Sequence, residues 1–344
     1  MKTQHALVIV GVLVLSGALY AQAPSAPALM TEKEVVKELK SAGPDQVVKD
    51  VGLRGTDFDM TPEIEKRLRK AKATDEVIQA VTNAGPKARA AARAAAMGMT
   101  GHPLSPEESK DFAAMRDELD PDKAIALAEA FAKKYPDSPV LTYAYAFEAN
   151  ALQQKGEVAK VVELCEKSLE LKKDNLMTLI MISAMIPQPQ YLNLHEAEKE
   201  KLLTEAETDA QQALTMIDKL PKMPSESDAD LAKRKAGYAA GVHAALGMVH
   251  LERAQLGLTG LDKDELAKAE QEFRTAVTTT DQVDARDYYR LGETCSMEDK
   301  LDDAIAAFTK ASELGQGTMI KQYADQQIEN LKKRKAQAAP PAKP

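Results

Sequence analysis

His243 and His250 stand seven residues apart. On a helix that is two turns, so they share one face and could offer two imidazole nitrogens to a metal ion. The register worked out below puts both where core aromatics would sit, and packing is the expected role of each. His195-Glu196-Ala197-Glu198 begins like the helix of a zinc protease but lacks its second histidine, so it reads as a solvated helix start. Ser41, Ser138 and Ser183 lie in no nucleophile-elbow context. Gly315-Gln316-Gly317 follows a helical stretch instead of opening one, which makes it a helix end and not a phosphate loop. The acidic run from Asp299 to Asp303 lacks calcium-loop spacing. Met177, Met181 and Met185 recur every four residues, a stripe that belongs to a core more readily than to a methionine-rich binding face. No catalytic residue, metal site or cofactor site is expected, and the chain reads as a non-enzyme.

The elements that would position such groups are helices. Ala, Leu, Lys, Glu and Gln dominate the middle of the chain, and these are good helix formers. Aromatics make up only 4% and Trp is absent, while runs of Val, Ile, Thr and Tyr are almost missing after residue 25, so the class is all-α. A net charge of -8 disfavours nucleic acid as a partner, because phosphate binding needs a basic surface. The cluster Lys332, Lys333, Arg334, Lys335 falls at a helix C-terminus, where cations suit the dipole.

Lys2, the uncharged run Ala6 to Tyr20 and the small residues of Ala21-Gln22-Ala23 form the pattern of a secretory signal peptide, assigned to residues 1–23. Pro24 hinders a cut directly before it, so cleavage after Ala21 and retention as an inner-membrane anchor stay open. The run is short of the roughly 20 residues that a spanning helix needs, so no stable membrane span remains if the peptide is cleaved. No cysteine follows to take a lipid. The mature chain is expected to be exported, periplasmic or extracellular.

After a flexible leader, 24–29, residues 30–85 repeat themselves with a shift of 30. Met30-Thr31 matches Met60-Thr61, Asp45-Gln46-Val47-Val48 matches Asp75-Glu76-Val77-Ile78, Val51 matches Val81, and Gly55 matches Gly85. Thr31 and Thr61 are N-cap candidates, Pro62 fits a first helical position, and the valines share a helical face. Gly55 and Gly85 suit left-handed helix ends, and Phe58 in the linker is a candidate plug. An Ala/Arg-rich linker, 86–104, contains the breakers Gly98 to Pro103 and marks a domain boundary.

From Ser105, with Pro106 and Glu108 supplying helix-start chemistry, to residue 335 the chain repeats in a second way. Tyr288, Leu291, Gly292 and Cys295 are followed by Ala304, Phe308 and Ala311. A small residue such as Gly292 lets two helices approach, and Phe308 fills the gap between them. Leu246, Gly247 and His250, then Ala269, Phe273 and Ala276, keep the same order, with about ten extra residues around Gln255 to Asp264. Tyr145, Ala149 and Leu152, then Gly156, Val161, Cys165 and Ser168, form another unit. Ala124, Ala128, Phe131 and Pro136 belong to an opening unit. A degenerate one, 176–220, carries Ala206, Ala210 and Ala213 and is broken by Ile186-Pro187-Gln188-Pro189-Gln190. A helix over 318–335 should close the stack, and 336–344 reads as a disordered tail. Cys165 and Cys295 fall in the second and fifth units. Helix pairs advance by about 10 Å each and a disulfide needs Cα atoms within about 7 Å, so two buried free thiols are expected.

The order aromatic, Leu-Gly, large residue, then Ala-x3-Phe-x2-Ala resembles the tetratricopeptide (TPR) repeat over roughly 106–335. The resemblance implies a right-handed solenoid of about five antiparallel helix pairs, preceded by the small helical module, and a concave groove lined by the first helix of each pair. By resemblance the groove would present Tyr143, Ala146 and Asn150, then Arg286, Tyr289 and Glu293, to a protein or peptide partner. Chaperone-tail binding is not expected, because Asn150 has no groove lysines beside it. Residues 30–85 resemble a duplicated helical module of exported bacterial proteins with a Phe-Asp linker, here Phe58-Asp59. The implied function is a non-catalytic scaffold or adaptor in the cell envelope. An accessory subunit of a secretion or outer-membrane assembly machine, docking through 30–85, is the second reading, and an enzyme with a cryptic site is the third. Oligomeric state is left open.

Overall fold

The computed structural model describes residues 29–85, 104–223, 226–257 and 260–338. The expected signal peptide over 1–23, the leader up to residue 28, linker residues 86–103 and the tail from 339 lie outside the described residues. Among the described residues the chain forms sixteen α-helices and one 3-10 turn. They fall into two compact units, one of 108–220 with 233–338, the other of 29–85, 104–107 and the described part of 221–232.

In the second of these, α1 (Glu32–Ser41), α2 (Pro44–Arg54), α3 (Pro62–Lys70) and α4 (Asp75–Ala84) realise the duplication. Thr31 forms a full capping box with Glu34, and Thr61 and Thr74 cap α3 and α4. Val47, Val51, Val77 and Val81 are fully buried with Met30, Val35 and Leu68, and Phe58 packs half-buried against them. A lone parallel bridge, Met30 to Thr56, ties the start of the unit to its linker. Gly55 ends α2 with φ +70°. Gly85 does not take the expected left-handed form, since its φ is -68°. It must instead be small, because a Cβ there would stand 2.9 Å from the Asp59 Oδ1 and 3.2 Å from the Phe58 carbonyl oxygen.

The other unit is a succession of helix pairs. α5 (Pro106–Asp117) packs on α6 (Pro121–Lys134) through Phe112 and Phe131, ring centroids 6.0 Å apart, and α7 (Leu141–Gln154) pairs with α8 (Val158–Leu171). α9 (Leu176–Met185) pairs with α11 (Lys199–Asp218), across the short α10 (Pro189–Leu192) and the 3-10 turn Glu196–Glu198. α12 (Asp228–Ala254) packs on α13 (Lys263–Thr279) through Gly247 and Phe273. α14 (Ala285–Met297) pairs with α15 (Leu301–Leu314), and α16 (Met319–Ala338) packs on α15. Short connections close the first, second and fifth pairs as helical hairpins, while the third and fourth pairs are joined by longer ones. Pro187 and Pro189 account for the break after α9, and the extra residues of the fourth pair lie in long helices as well as in the loop. α16 continues three residues past its expected end at 335.

The repeat signature becomes contact. A Cβ on Gly292 would meet the Phe308 ring at 2.8 Å, and one on Gly247 would meet the Phe273 ring at 2.8 Å. Both rings are fully buried, with Ala269, Ala276, Ala304 and Ala311 around them. Pairs are joined by polar contacts as well. The buried Ser168 hydroxyl of α8 meets the hydroxyls of Thr142 and Thr178 at 2.8 Å, and the Asn175 amide donates to both Ser168 and Thr142.

Candidate functional site

Alternate helices of the paired unit meet at one cavity of about 70 Å³. Ala184 of α9 and Gln188 just beyond it line one side, with Ala244, Ala245 and Met248 of α12. Arg286, Asp287, Tyr289 and Arg290 of α14 and Ile320 of α16 complete the lining, and Phe273 is the contribution of a second helix. The cavity therefore belongs to the first helices of successive pairs and to the closing helix.

Its charged groups all come from α14, and Gln188 adds a side-chain amide that donates to the Ala184 carbonyl at 2.9 Å. Asp284 caps that helix by accepting from the Arg286 amide. Burial pushes the Asp284 carboxyl up, but hydrogen bonds and charge from Arg286 outweigh it and hold the group below the usual range. The Arg290 guanidinium donates to Glu293 at 2.7 Å. Asp287 stands between these two pairs. Burial, then the neighbouring Asp284, pushes its carboxyl up to about 7 against the opposing charge of Arg286. On α12, burial likewise pushes Glu252 up to about 7, with Arg290 and Lys199 opposing and Glu293 adding.

Of the six groove residues expected from the sequence, Arg286 and Tyr289 line this cavity. Glu293 lies one turn along and holds Arg290. Tyr289 is only 7% exposed and packs edge-on against Phe308, ring centroids 5.1 Å apart. Its bulk is core, with little surface to offer a partner. Tyr143, Ala146 and Asn150 belong to α7 and line no part of the cavity. Ala146 is fully buried, while the Tyr143 hydroxyl accepts from Lys172, whose ammonium lies 5.4 Å from the ring centroid.

Ala244, Met248, Asp287 and Arg290 were not singled out from the sequence. A signal for two of them was present. Ala244 and Met248 stand at the same offsets from Gly247 as Tyr289 and Glu293 from Gly292, so the register of one unit could have been carried to the other.

His243 and His250 do more than pack. Each Nδ1 lies 2.7 Å from a carboxylate of α13, Glu272 and Glu265 respectively. Arg253 and Lys268 also meet Glu265, so His250 sits in an ion-pair network that fastens α12 to α13. No group of three metal-ligating side chains gathers among the described residues. Cys165 and Cys295 are buried free thiols, and burial pushes Cys295 up to about 12. No helix among the described residues is long and apolar enough to cross a membrane.

No protein-family model matches the chain, and no curated protein matches it. Among solved structures it is similar to a thermophilic TPR protein of Thermus thermophilus, at 18% identity and a TM-score of 0.42, over 64% of this chain and 95% of that one. It is also similar to the MamA RS-1 ArsTM double mutant, at 17% identity and a TM-score of 0.35, over 62% of this chain and 96% of that one.

Proposed function

We propose that the chain is a non-catalytic scaffold that holds a protein or peptide partner along the first helices of its successive pairs. The observation that carries this is the cavity shared by α9, α12, α14 and α16. It puts a concave, mostly apolar surface with a few polar groups where the helices of separate pairs converge, the usual make-up of a recognition site. Export is part of the proposal and rests on the sequence pattern of residues 1–23. The partner is accordingly a component of the cell envelope or its exterior.

Affinity capture from envelope extract, with the tagged chain and its Arg286→Ala/Arg290→Ala variant side by side, tests the reading. A partner set held by the parent and lost by the variant supports it. The same set held by both would move the function elsewhere on the chain. A second reading has its own observation, the separate core of residues 30–85. If that unit docks the chain into a larger envelope assembly, its deletion releases the chain from high-mass fractions. Unchanged fractions would count against docking through it.

A further inference from the structure

The fourth and fifth pairs meet at a knot of charge. Glu270 of α13 accepts from Arg274 at 2.7 Å and from Lys300, the N-cap residue of α15. Lys300 also donates to Glu298, in the turn between α14 and α15, at 3.1 Å. Arg274 reaches on to Asp303 of α15 at 2.9 Å. The side chains of Glu270 and Glu298 are only 12% and 11% exposed. One ammonium thus gathers two carboxyls from different pairs, and these stand close enough to share a hydrogen bond.

Ionised, the two carboxyls have no hydrogen to put there. The Glu298 Oε2 is buried with no partner among the described residues. Glu270, Glu298 and Asp303 then set three negative charges against the two positive ones of Arg274 and Lys300. One proton removes the excess, and on Glu298 Oε2 it turns an unmatched acceptor into a donor to Glu270. Glu270 is the poorer seat for it. Burial opposes its charge, yet Lys300 and Arg274 hold it ionised. Burial, and then Glu270, raises Glu298 against the pull of Lys300. The charges around the knot are matched elsewhere, Asp299 with Arg334 and Asp302 with Lys335 of α16. The Cys295 thiol, 3.8 Å from Glu270, is kept protonated by burial. α12 and α14, the first helices of these two pairs, both line the cavity, so this joint bears on how its walls are held.

We infer that Glu270 and Glu298 hold one proton between them and form a pH-sensitive latch between the fourth and fifth pairs, closed while the proton is held and loosened when it leaves to solvent. The latch does not depend on what the groove holds. Opening returns Glu298 to an ordinary glutamate. The opening equilibrium should therefore rise by up to about tenfold per pH unit above about pH 4.3, and level off once the closed latch has lost its proton.

Two measurements on the full chain test this. Carbon-13 NMR titration of the Glu298 carboxyl, assigned through its backbone, needs no variant. Its midpoint is expected above the ordinary glutamate value, and a midpoint at or below that value overturns the latch. The second is amide hydrogen exchange across α14 and α15 between about pH 5 and pH 8, corrected for intrinsic exchange, in the parent and in Glu298→Gln. Glutamine keeps a donor for Glu270 at every pH. Asp287 and Glu252, both raised to about 7, titrate in either chain, so the readout is the parent-to-variant ratio of opening. That ratio should grow several-fold with pH. A ratio constant with pH, or one that grows as much across α7 and α8, overturns the latch.

Discussion

At the scale of single residues, the tightest constraint is a hydrogen atom. Gly292 faces a Phe308 ring that is only 1% exposed and has nowhere to move. Gly292→Ala gains helix propensity, yet overpacking a filled core costs about 1–3 kcal/mol, and a net loss is expected. Gly241 has open space where its Cβ would go, so Gly241→Ala should stabilise by up to about 1 kcal/mol. Denaturant melts of the two variants check the contrast, and a stabilising Gly292→Ala would contradict the packing described.

Asp287 makes a second residue-scale prediction. Its folded pKa of about 7 lies above the unfolded value of about 3.9. Between those values the folded chain keeps a proton that the unfolded chain has released, so stability falls as pH rises through this window and levels off above it. Asp284 and Arg286 are the charges that act on it. Asp287→Asn should therefore leave the melting temperature unchanged near pH 4 and raise it at pH 8. A variant equally shifted at both would show that ionisation of Asp287 carries no cost. Glu270 works in the opposite sense. Burial opposes it, but Lys300 and Arg274 bring it down to about 2, so its contribution is present at neutral pH and lost as pH falls below the ordinary carboxylate range.

At the scale of elements, what was legible in the sequence was whatever a helix records in its own register. The Leu-Gly and Ala-x3-Phe spacings of α12–α13 and α14–α15 became real contacts because both partners recur at fixed offsets. The prolines after α9 marked its end because a ring without an N–H cannot continue a helix. Contacts that join elements left no such trace. The glutamates that hold His243 and His250 lie on a different helix, and a spacing of seven shows only that the histidines share a face. Gly85 was legible as a glycine but not for its reason, which is the approach of the Asp59 segment. Asp287 carried no signal at all, because a lone aspartate becomes notable only when other helices remove its water. The knot of Thr142, Ser168, Asn175 and Thr178 was equally silent. Every member is buried and bonded, so Ser168→Ala strands its partners and should cost about 1–3 kcal/mol. Thermal denaturation checks this, and a neutral result would mean that the other three re-pair.

On the scale of the whole molecule, each of the two units has a core of its own, and the paired one gathers α9, α12, α14 and α16 around a concavity. On the proposed function, recognition belongs to the first helices and second helices such as α15 serve packing. The most direct measurement is site-specific photo-crosslinking in the native envelope, with a photoreactive phenylalanine at Gln188 on the cavity wall and, separately, at the exposed Lys310 of α15. The account predicts a discrete protein adduct from Gln188 that is absent from Lys310 and is lost when Ala244→Met fills the cavity. An adduct from Lys310 alone, or one from Gln188 that persists with the cavity filled, would contradict it.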